Sequence, residues 1–422
     1  MDASINKQNN QPHLYKTLFA TCIGNALEWF DIAVYAFFAS YIARAFFPNE
    51  NETISLIITF GTFGLSFLIR PFGAVILGAY ADRAGRKASL LMSIALMMLG
   101  CLMIAVMPTY ATIGISAPIL IMVARLIQGF SAGGEFGSST AFLVEHFPER
   151  KTFIASWQFA TQGVSSLLAA LFGFVLSSVL TQEQLYDWGW RVPFFFGLII
   201  GPVGLYIRRH VHESKTFSQA EKSANPIKEI VQTQKKLFFI ASGLMVISTA
   251  INYMLNYIPA YATKTLGLPA TTAFGATIVS GAILMILTPF VGLWAEKKGR
   301  FPLMVGSLVV LLITVYPGFW LMIHYLSAVS LILLVGWLAI LKSIYFATVP
   351  SMMADIFPTR TRATGMAVSY NVAVTLFGGF APMFCTLLIS MTGDNLSPSY
   401  YLIVVGFMSL LAIQQAYQLN RK

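Results

Sequence analysis

Long apolar runs alternate with short polar connections along the whole chain. Runs of about 20 to 30 residues can cross roughly 30 Å of hydrocarbon as helices, which rise 1.5 Å per residue. Twelve such runs are present, and we number them as spans one to twelve: residues 16–46, 54–81, 88–108, 115–145, 152–181, 191–208, 237–262, 270–295, 302–323, 326–354, 362–392 and 398–418. The pattern predicts an all-α integral membrane protein with twelve transmembrane helices.

Basic residues concentrate in alternate connections. What we call the basic face contains the Lys- and Arg-rich connections at residues 83–87, 150–151, 208–236, 297–300 and 360–362. The other connections form the acidic face, which has few basic residues beyond Lys264, with Arg44 and Arg191 at helix ends. Its acidic residues are Glu50, Glu52, Glu183, Asp187 and Asp394. Because cytoplasmic loops keep an excess of Lys and Arg, the basic face is predicted to be cytoplasmic. The first fifteen residues are polar and lack a secretory signal, so both termini are expected on that side.

The longest polar connection divides the spans into six plus six, and each half contains related motifs. Residues 78–86 are echoed by residues 292–300, and residues 145–148 by residues 355–358. Duplicated halves related by an axis along the membrane normal occur in secondary transporters, whose binding site lies between the halves. We therefore predict two six-helix bundles related by a pseudo-two-fold along the membrane normal. The N-terminal bundle covers residues 1–208, the cytoplasmic interdomain loop 209–236 and the C-terminal bundle 237–422.

Composition agrees with a membrane protein and excludes other classes. Of the 422 residues, 57% are hydrophobic and 10% are charged, against about 25% charged in a soluble chain. The net charge of +10 is scattered and forms no stripe that would bind nucleic acid. The three cysteines lie far apart in apolar runs, and the five histidines lie at termini or in loops. We therefore expect no disulfide, no metal site, no cofactor and no enzyme activity.

Local motifs resemble those of the major facilitator superfamily. Residues 78–87 (GAYADRAGRK) are similar to that family's loop motif between helices two and three, and residues 125–129 (RLIQG) to its helix-four motif. The metabolite:proton symporter branch is resembled by residues 24–31 (GNALEWFD), 70–71 (RP), 133–135 (GGE) and 187–194 (DWGWRVPF). The resemblance covers essentially all twelve spans and implies the major facilitator fold. It also implies a carrier of citrate or related carboxylates, 2-oxoglutarate, shikimate, proline or betaine.

Two departures from related patterns narrow this set. Span five lacks the G-x-x-x-G-P-x-x-G-G pattern of drug antiporters, which disfavours drug export. Relatives that sense osmotic stress often carry a long coiled-coil extension after the last span, and the sequence given ends at Lys422. Both departures favour the organic-acid carriers of the branch.

Ionisable residues inside the spans are candidates for proton coupling. An ionised side chain at the bilayer centre costs about 2.5 to 3.5 kcal/mol, so such residues are expected to pair or to face water. Six stand out, and their formal charges sum to zero: Glu28, Asp31, Glu135, Arg70, Arg125 and Lys342. Glu28 and Asp31 share a helical face and are expected to point at a common neighbour, where repulsion would favour protonation of one of them. We predict proton coupling through Glu28, Asp31, Arg125 and Glu135, with Asp31 or Glu135 as the coupling carboxylate; a permanent ion pair with Arg125 that fixes helix packing is the alternative.

Polar residues in the later spans are candidates for substrate binding. Lys342 in span ten would favour an anionic ligand, unless it snorkels or pairs with Glu28 or Asp31. Arg70 either supports the helix architecture before Pro71 or contacts substrate. Span seven places two amides and two phenols at i, i+4 spacing, which suits carboxylate ligands or interhelical hydrogen bonds. The predicted set is Arg70, Lys342, Asn252, Tyr253, Asn256, Tyr257, Trp157, Gln158, Gln162, Tyr370 and Asn371.

Charged residues at helix ends on the basic face are predicted to form a cytoplasmic gate. There they can latch the halves together while the cavity opens to the other side, although loop charges also serve topology alone. The predicted set is Asp82, Arg83, Arg86, Glu145, Glu296, Arg300 and Asp355.

These observations together predict a proton-coupled symporter of the bacterial inner membrane. Its substrate is expected to be a small organic anion, a di- or tricarboxylate such as citrate, imported by alternating access. The alternatives are a zwitterionic osmolyte, proline or betaine, and a citrate-type carboxylate siderophore. We expect the protein to act as a monomer in the lipid bilayer and to bind no nucleic acid.

Overall fold

Helices account for nearly all of the described structure. The computed structural model describes residues 25–84, 86–133, 136, 140, 143–144, 148–210, 226–358 and 361–420, and the side chains of residues 78–90 lie outside that description. Within the described ranges there is no strand. The prediction of an all-α protein is therefore confirmed.

Spans one to six follow the predicted order. Short helices Tyr110–Ile113 and Gln182–Asp187 connect spans on the acidic face. The spans are formed by Asn25–Phe37 with Ala39–Phe46, Glu52–Leu68 with Arg70–Ala84, Arg86–Val106, Ser116–Ser131, Lys151–Val179 and Val192–His210.

Spans seven to twelve make up the second half. They are formed by Lys235–Ala260 with Tyr261–Thr265, Ala270–Lys298, Arg300–His324, Ala328–Ile356, Arg362–Val374 with Thr375–Gly379 and Ala381–Thr392, and Ser397–Asn420. Spans eight and nine are joined by Gly299, whose φ of 88° suits a residue without a side chain. The predicted interdomain loop contains the helix Pro226–Thr233, and residues 211–225 lie outside the description. The domain boundaries therefore stay predictions.

Length and composition of the helices suit a bilayer. Among the described residues, eight helices are long and apolar enough to cross a membrane, and the bent first span makes a ninth. Large apolar side chains also lie on the outer surface, such as Phe72, Phe290 and Leu333, which are 63%, 65% and 67% exposed. Such a surface is what lipid rather than water would cover.

Several spans are interrupted where the two halves meet. Span one bends by 66° between its two helices, next to Phe38. Span seven passes into a π-helical turn at Tyr261–Thr265, two residues after Pro259, which cannot donate a helical hydrogen bond. Span eleven contains a second π-helical turn at Thr375–Gly379. Such turns often occur at functional sites.

Glycines allow the halves to approach closely. Spans five and eight run side by side between the halves, and a Cβ added to Gly163 would lie 2.5 Å from the backbone nitrogen of Met285. A Cβ on Gly281 would lie 2.7 Å from the nitrogen of Leu167. Within the first half, a Cβ on Gly129 would overlap the Ser66 carbonyl, so the glycine face of span four is packed against span two.

Candidate functional site

Four buried charged residues form two ion pairs in the first half. Arg70 Nη2 lies 3.1 Å from Glu28 Oε1, and Arg125 Nη1 lies 3.5 Å from Asp31 Oδ2. All four side chains are at most 7% exposed. The expectation of a common neighbour for Glu28 and Asp31 is wrong, because each carboxylate faces its own guanidinium. Span two supplies one guanidinium and span four the other.

The guanidinium of Arg125 has several partners besides Asp31. It donates to Gln128 Oε1 at 2.6 Å and to Ser66 Oγ at 3.1 Å, and it lies 4.3 Å from the ring centroid of Tyr35. Neither oxygen of Asp31 forms a hydrogen bond of good geometry with the described residues. The ion-pair distance of Asp31 to Arg125 is longer than that of Glu28 to Arg70.

A small cavity lies beside the two carboxylates. Its volume is about 50 Å³, and Glu28, Asp31, Ser93 and Cys101 are among the residues that line it. A water needs about 10–15 Å³ measured in this way, so the cavity has room for water beside Asp31. Water there would give the carboxylate a route for proton exchange.

Lys342 lies in the second half with its ammonium buried. Its Nζ donates to Asn252 Oδ1 at 2.6 Å and lies 4.7 Å from the ring centroid of Phe346. The side chain is 1% exposed, and none of the described carboxylates forms an ion pair with it. Pairing with Glu28 or Asp31, the alternative raised by the sequence, is not observed because both acids face arginines.

An aromatic cluster joins the halves near these charges. The ring of Tyr253 lies 6.2 Å from Trp29 and 5.2 Å from Phe67, measured between centroids. Among the described residues, no group forms a hydrogen bond with the Tyr253 hydroxyl. Tyr370 stacks on Phe136 of the first half at 3.9 Å. Tyr253 and Tyr370, both predicted from sequence, therefore lie at the contact between the halves.

The remaining predicted binding residues have mixed surroundings. Tyr257 accepts a hydrogen bond from Thr386 Oγ1 at 3.0 Å, and Asn371 Nδ2 donates to the Gly133 carbonyl across the halves at 3.0 Å. The Gln158 amide oxygen accepts from the hydroxyl of Thr140. Among these remaining residues, three buried polar atoms have no hydrogen-bond partner in the described part of the chain: Trp157 Nε1, Gln162 Oε1 and Asn371 Oδ1. Asn256 is buried in span seven.

Polar contacts hold the halves together on the basic face. Glu296 Oε1 accepts hydrogen bonds from the backbone nitrogens of Thr152 and Phe153 at 2.7 and 3.1 Å. Asp355 pairs with Lys151 of the first half and with Arg300 of its own half, each at 2.6 Å. Three predicted gate residues thus belong to one contact region.

Some predicted residues fall outside what the structure describes, and one contributor was missed. Glu135 and Glu145 lie outside the described residues, as do the side chains of Asp82, Arg83 and Arg86. Lys151 was not predicted as a gate residue. The available signal was its position at the start of span five, directly after the motif that is echoed at residues 355–358.

The acidic face has its own contact between the halves. Lys264 Nζ donates to Glu52 Oε2 at 2.8 Å and to the Tyr186 hydroxyl at 3.3 Å. Glu52 begins span two, whereas Lys264 ends span seven, so the pair joins the two halves. The described halves are therefore joined by polar contacts on both faces.

Two helical bundles that enclose buried charges and meet along one interface are the architecture of a membrane transporter. Residues 21–382 match the family model of the Major Facilitator Superfamily, and the chain belongs to that family. The fold is similar to that of the xylose transporter XylE from E. coli in a partially occluded inward open conformation. That match has a TM-score of 0.75 at 17% identity and covers 96% of this chain and 97% of that chain. The predicted two-bundle, twelve-helix fold is thereby confirmed.

Two kinds of named transporter are among the proteins similar to this chain. The chain is 34% identical over 400 residues to a citrate-proton symporter of Klebsiella pneumoniae, covering 94% of this chain and 90% of the relative. It is 35% identical over 409 residues to a putative proline/betaine transporter of Staphylococcus aureus (strain COL), covering 94% of this chain and 87% of the relative. The predicted resemblance to proton symporters of the superfamily is confirmed, and both predicted substrate classes are represented among the relatives.

Proposed function

We propose that this protein is a proton-coupled symporter that imports a small organic acid, most simply a di- or tricarboxylate such as citrate. The observation that carries the proposal is the buried ammonium of Lys342, which contacts the Asn252 amide and the Phe346 ring among the described residues. Burying a lone charge is costly, and an anionic ligand at this position would offset that cost. Relatives named as citrate-proton symporters support the same assignment.

The proton is assigned to Asp31. Its carboxylate is 3.5 Å from Arg125, lacks well-formed hydrogen bonds among the described residues, and borders the small cavity. Arg125 stays charged throughout and cannot carry the proton itself. Protonation of Asp31 would release part of the Arg125 charge, and deprotonation would restore the pair. Glu28 and its partner Arg70 are assigned to the same region as supporting charges.

Coupling to protons suits the electrostatics of importing an anion. Moving one elementary charge across 100 mV involves about 2.3 kcal/mol, so a di- or trianion entering a negative interior is strongly opposed. Protons that travel with the anion cancel part or all of this charge. Symport of protons and carboxylate therefore makes accumulation possible.

Transport is proposed to proceed by alternating access between two rocking bundles, residues 1–208 and 237–422, joined by the loop 209–236. The basic face is assigned to the cytoplasm of a bacterium, with both termini on that side and the protein acting as a monomer in the inner membrane. The contacts of Glu296 and Asp355 would close the cytoplasmic side, and the Lys264–Glu52 pair the outer side. One set of contacts must break at each step.

Proteoliposomes with an imposed pH gradient test this proposal. With the membrane potential clamped, an inward proton gradient is expected to drive citrate accumulation, and collapse of the gradient is expected to abolish it. Accumulation that ignores the pH gradient would remove the symport claim. If proline or betaine competed for uptake and citrate did not, the proposal that the substrate is an organic acid would be wrong.

A zwitterionic osmolyte is the second candidate, and the aromatic cluster favours it. The rings of Trp29, Phe67 and Tyr253 are buried against one another, and the Arg70 guanidinium lies 4.5 Å from the centroid of Phe67. The cluster thus already holds a cation, and the quaternary ammonium of betaine would take the place of Arg70 there. The relatives named as putative proline/betaine transporters support the same reading. Competition between citrate and betaine for uptake separates the two candidates.

A further inference from the structure

A second cavity, which has a polar lining, lies between the halves on the acidic face. Its volume is about 330 Å³, at the lower end of the roughly 300–1,000 Å³ typical of small-molecule pockets. Span one contributes Ser40 and Tyr41, and the short helix Gln182–Asp187 contributes Gln182 and Tyr186. The second half contributes Lys264 and the chain that follows it into span eight. The cavity is thus built from both halves, away from the buried pairs.

The lining of this cavity suits an anion. No aspartate or glutamate is among the described residues that line it, although the surrounding face is rich in acids. Lys264 supplies a positive charge, and the hydroxyls of Ser40 and Tyr41 supply hydrogen-bond donors. Arg44, whose guanidinium lies 4.5 Å from the ring centroid of Tyr186, adds a second positive charge at the edge of the cavity. A carboxylate that enters from the acidic face would therefore meet positive charge in and beside this cavity.

The present partner of Lys264 is itself a carboxylate that can be displaced. Glu52 is 77% exposed and does not line the cavity, while Lys264 is 29% exposed and does. An ion pair this exposed contributes little net free energy, so a competing carboxylate can replace Glu52 at small cost. The ammonium also has three donors, of which the described contacts to Glu52 and Tyr186 use two.

We propose that this cavity is an entry site for a small carboxylate, in which the incoming ligand competes with Glu52 for Lys264. The inference deepens the proposed function and rests on it. Because the Lys264–Glu52 pair ties the two halves together, a ligand that takes Lys264 from Glu52 also loosens the closure on the acidic face. The substrate's own carboxylate thereby helps to open the path to the buried site.

Two variants of one ion pair give opposite predictions. Isothermal titration calorimetry with citrate, and in parallel with betaine, is carried out on the purified full-length protein. Glu52→Gln removes the competitor and is expected to tighten binding about two- to fivefold, whereas Lys264→Gln is expected to weaken it by a similar factor. Glu183→Gln, an exposed change on the same face that does not line the cavity, is the matched control and should leave affinity unchanged.

The alternatives are distinguishable from one another. If the pair were only a mechanical tie, both variants would shift affinity in the same direction, and the entry site would be disproved. If the wild-type protein bound neither citrate nor betaine, the proposed function itself would fall. As a direct readout, the added label on Thr263→Cys, measured against the parent chain whose Cys101 and Cys385 are buried, should be protected by citrate from an impermeant maleimide. That protection should disappear with Lys264→Gln, and its persistence would overturn the proposal.

Discussion

Asp31 Oδ2 lies 3.5 Å from Arg125 Nη1. Glu28, three residues earlier in span one, lies closer to its own partner, with 3.1 Å between its Oε1 and Arg70 Nη2. Arg125 also donates hydrogen bonds to Gln128 Oε1 and Ser66 Oγ. The sequence already favours Asp31 or Glu135 over Glu28 as the coupling carboxylate, and the longer ion-pair distance of Asp31 supports the proposal that Asp31 carries the proton.

Asp31→Asn is expected to abolish accumulation driven by a proton gradient, because the amide keeps the shape of the side chain but cannot bind and release a proton. Exchange of labelled citrate without a gradient should persist. Wild-type uptake should rise as the outer pH falls, while uptake by the variant should be flat with pH. Both are measured in proteoliposomes. Gradient-driven accumulation by Asp31→Asn would return the coupling role to Glu28 or Glu135.

Lys342→Met is expected to abolish the thermal stabilisation that citrate gives the purified protein. A hydrogen bond to a charged group is worth about 1.5–3 kcal/mol, which corresponds to roughly 10- to 100-fold in affinity. The apolar side chain can still pack on Phe346, so the unliganded variant should melt at or above the wild-type temperature. Lys342→Arg keeps the charge and is the matched control. An unchanged citrate response in Lys342→Met would exclude Lys342 from the site.

Gly281→Ala is expected to destabilise the contact between the halves, because its Cβ would lie 2.7 Å from the backbone nitrogen of Leu167. Overpacking of this kind costs about 1–3 kcal/mol. Gly275→Ala in the same helix is the control, since its Cβ would meet nothing within 4 Å. The melting temperature in detergent and the uptake rate should fall for the first variant only. Equal behaviour of the two would show that spans five and eight can separate at no cost.

Asp355→Asn is expected to favour opening on the basic face, because it removes the carboxylate shared by Lys151 and Arg300. Partly exposed pairs contribute about 0.2–1 kcal/mol each, so citrate affinity measured from that face should improve by a few-fold. Right-side-out and inside-out vesicles give the two affinities. Asp394→Asn, whose carboxylate accepts from Tyr400 within one half, is the control. A ratio unchanged by Asp355→Asn would mean that this carboxylate does not restrain the basic face.

Much of the fold follows from the sequence because each span is a local property. Hydropathy and length place span ten at residues 326–354, and the helix is Ala328–Ile356. Arg70, Arg125 and Lys342 stand out for the same local reason, since a charge within an apolar run must be compensated. Such signals need no knowledge of neighbouring helices.

The pairing of these side chains could not be predicted from the sequence, because it depends on how each helix is rotated and on which spans are in contact. The pairing of Glu28 with Arg70, and of Lys342 with Asn252, is decided by packing between distant segments. Lys151 and the Lys264–Glu52 pair come from contacts between the halves, where one sequence shows only ordinary loop charges. The bend next to Phe38 was not predictable, because no glycine or proline lies within four residues of it.

The ion pairs on the two faces have a consequence for the energetics of the proposed rocking motion. Lys151–Asp355 lies on one face and Lys264–Glu52 on the other, and both pairs join the two halves. Opening in either direction therefore breaks one pair while it keeps the other. Because partly exposed pairs contribute about 0.2–1 kcal/mol each, we expect these charges to make the two directions of opening similar in cost.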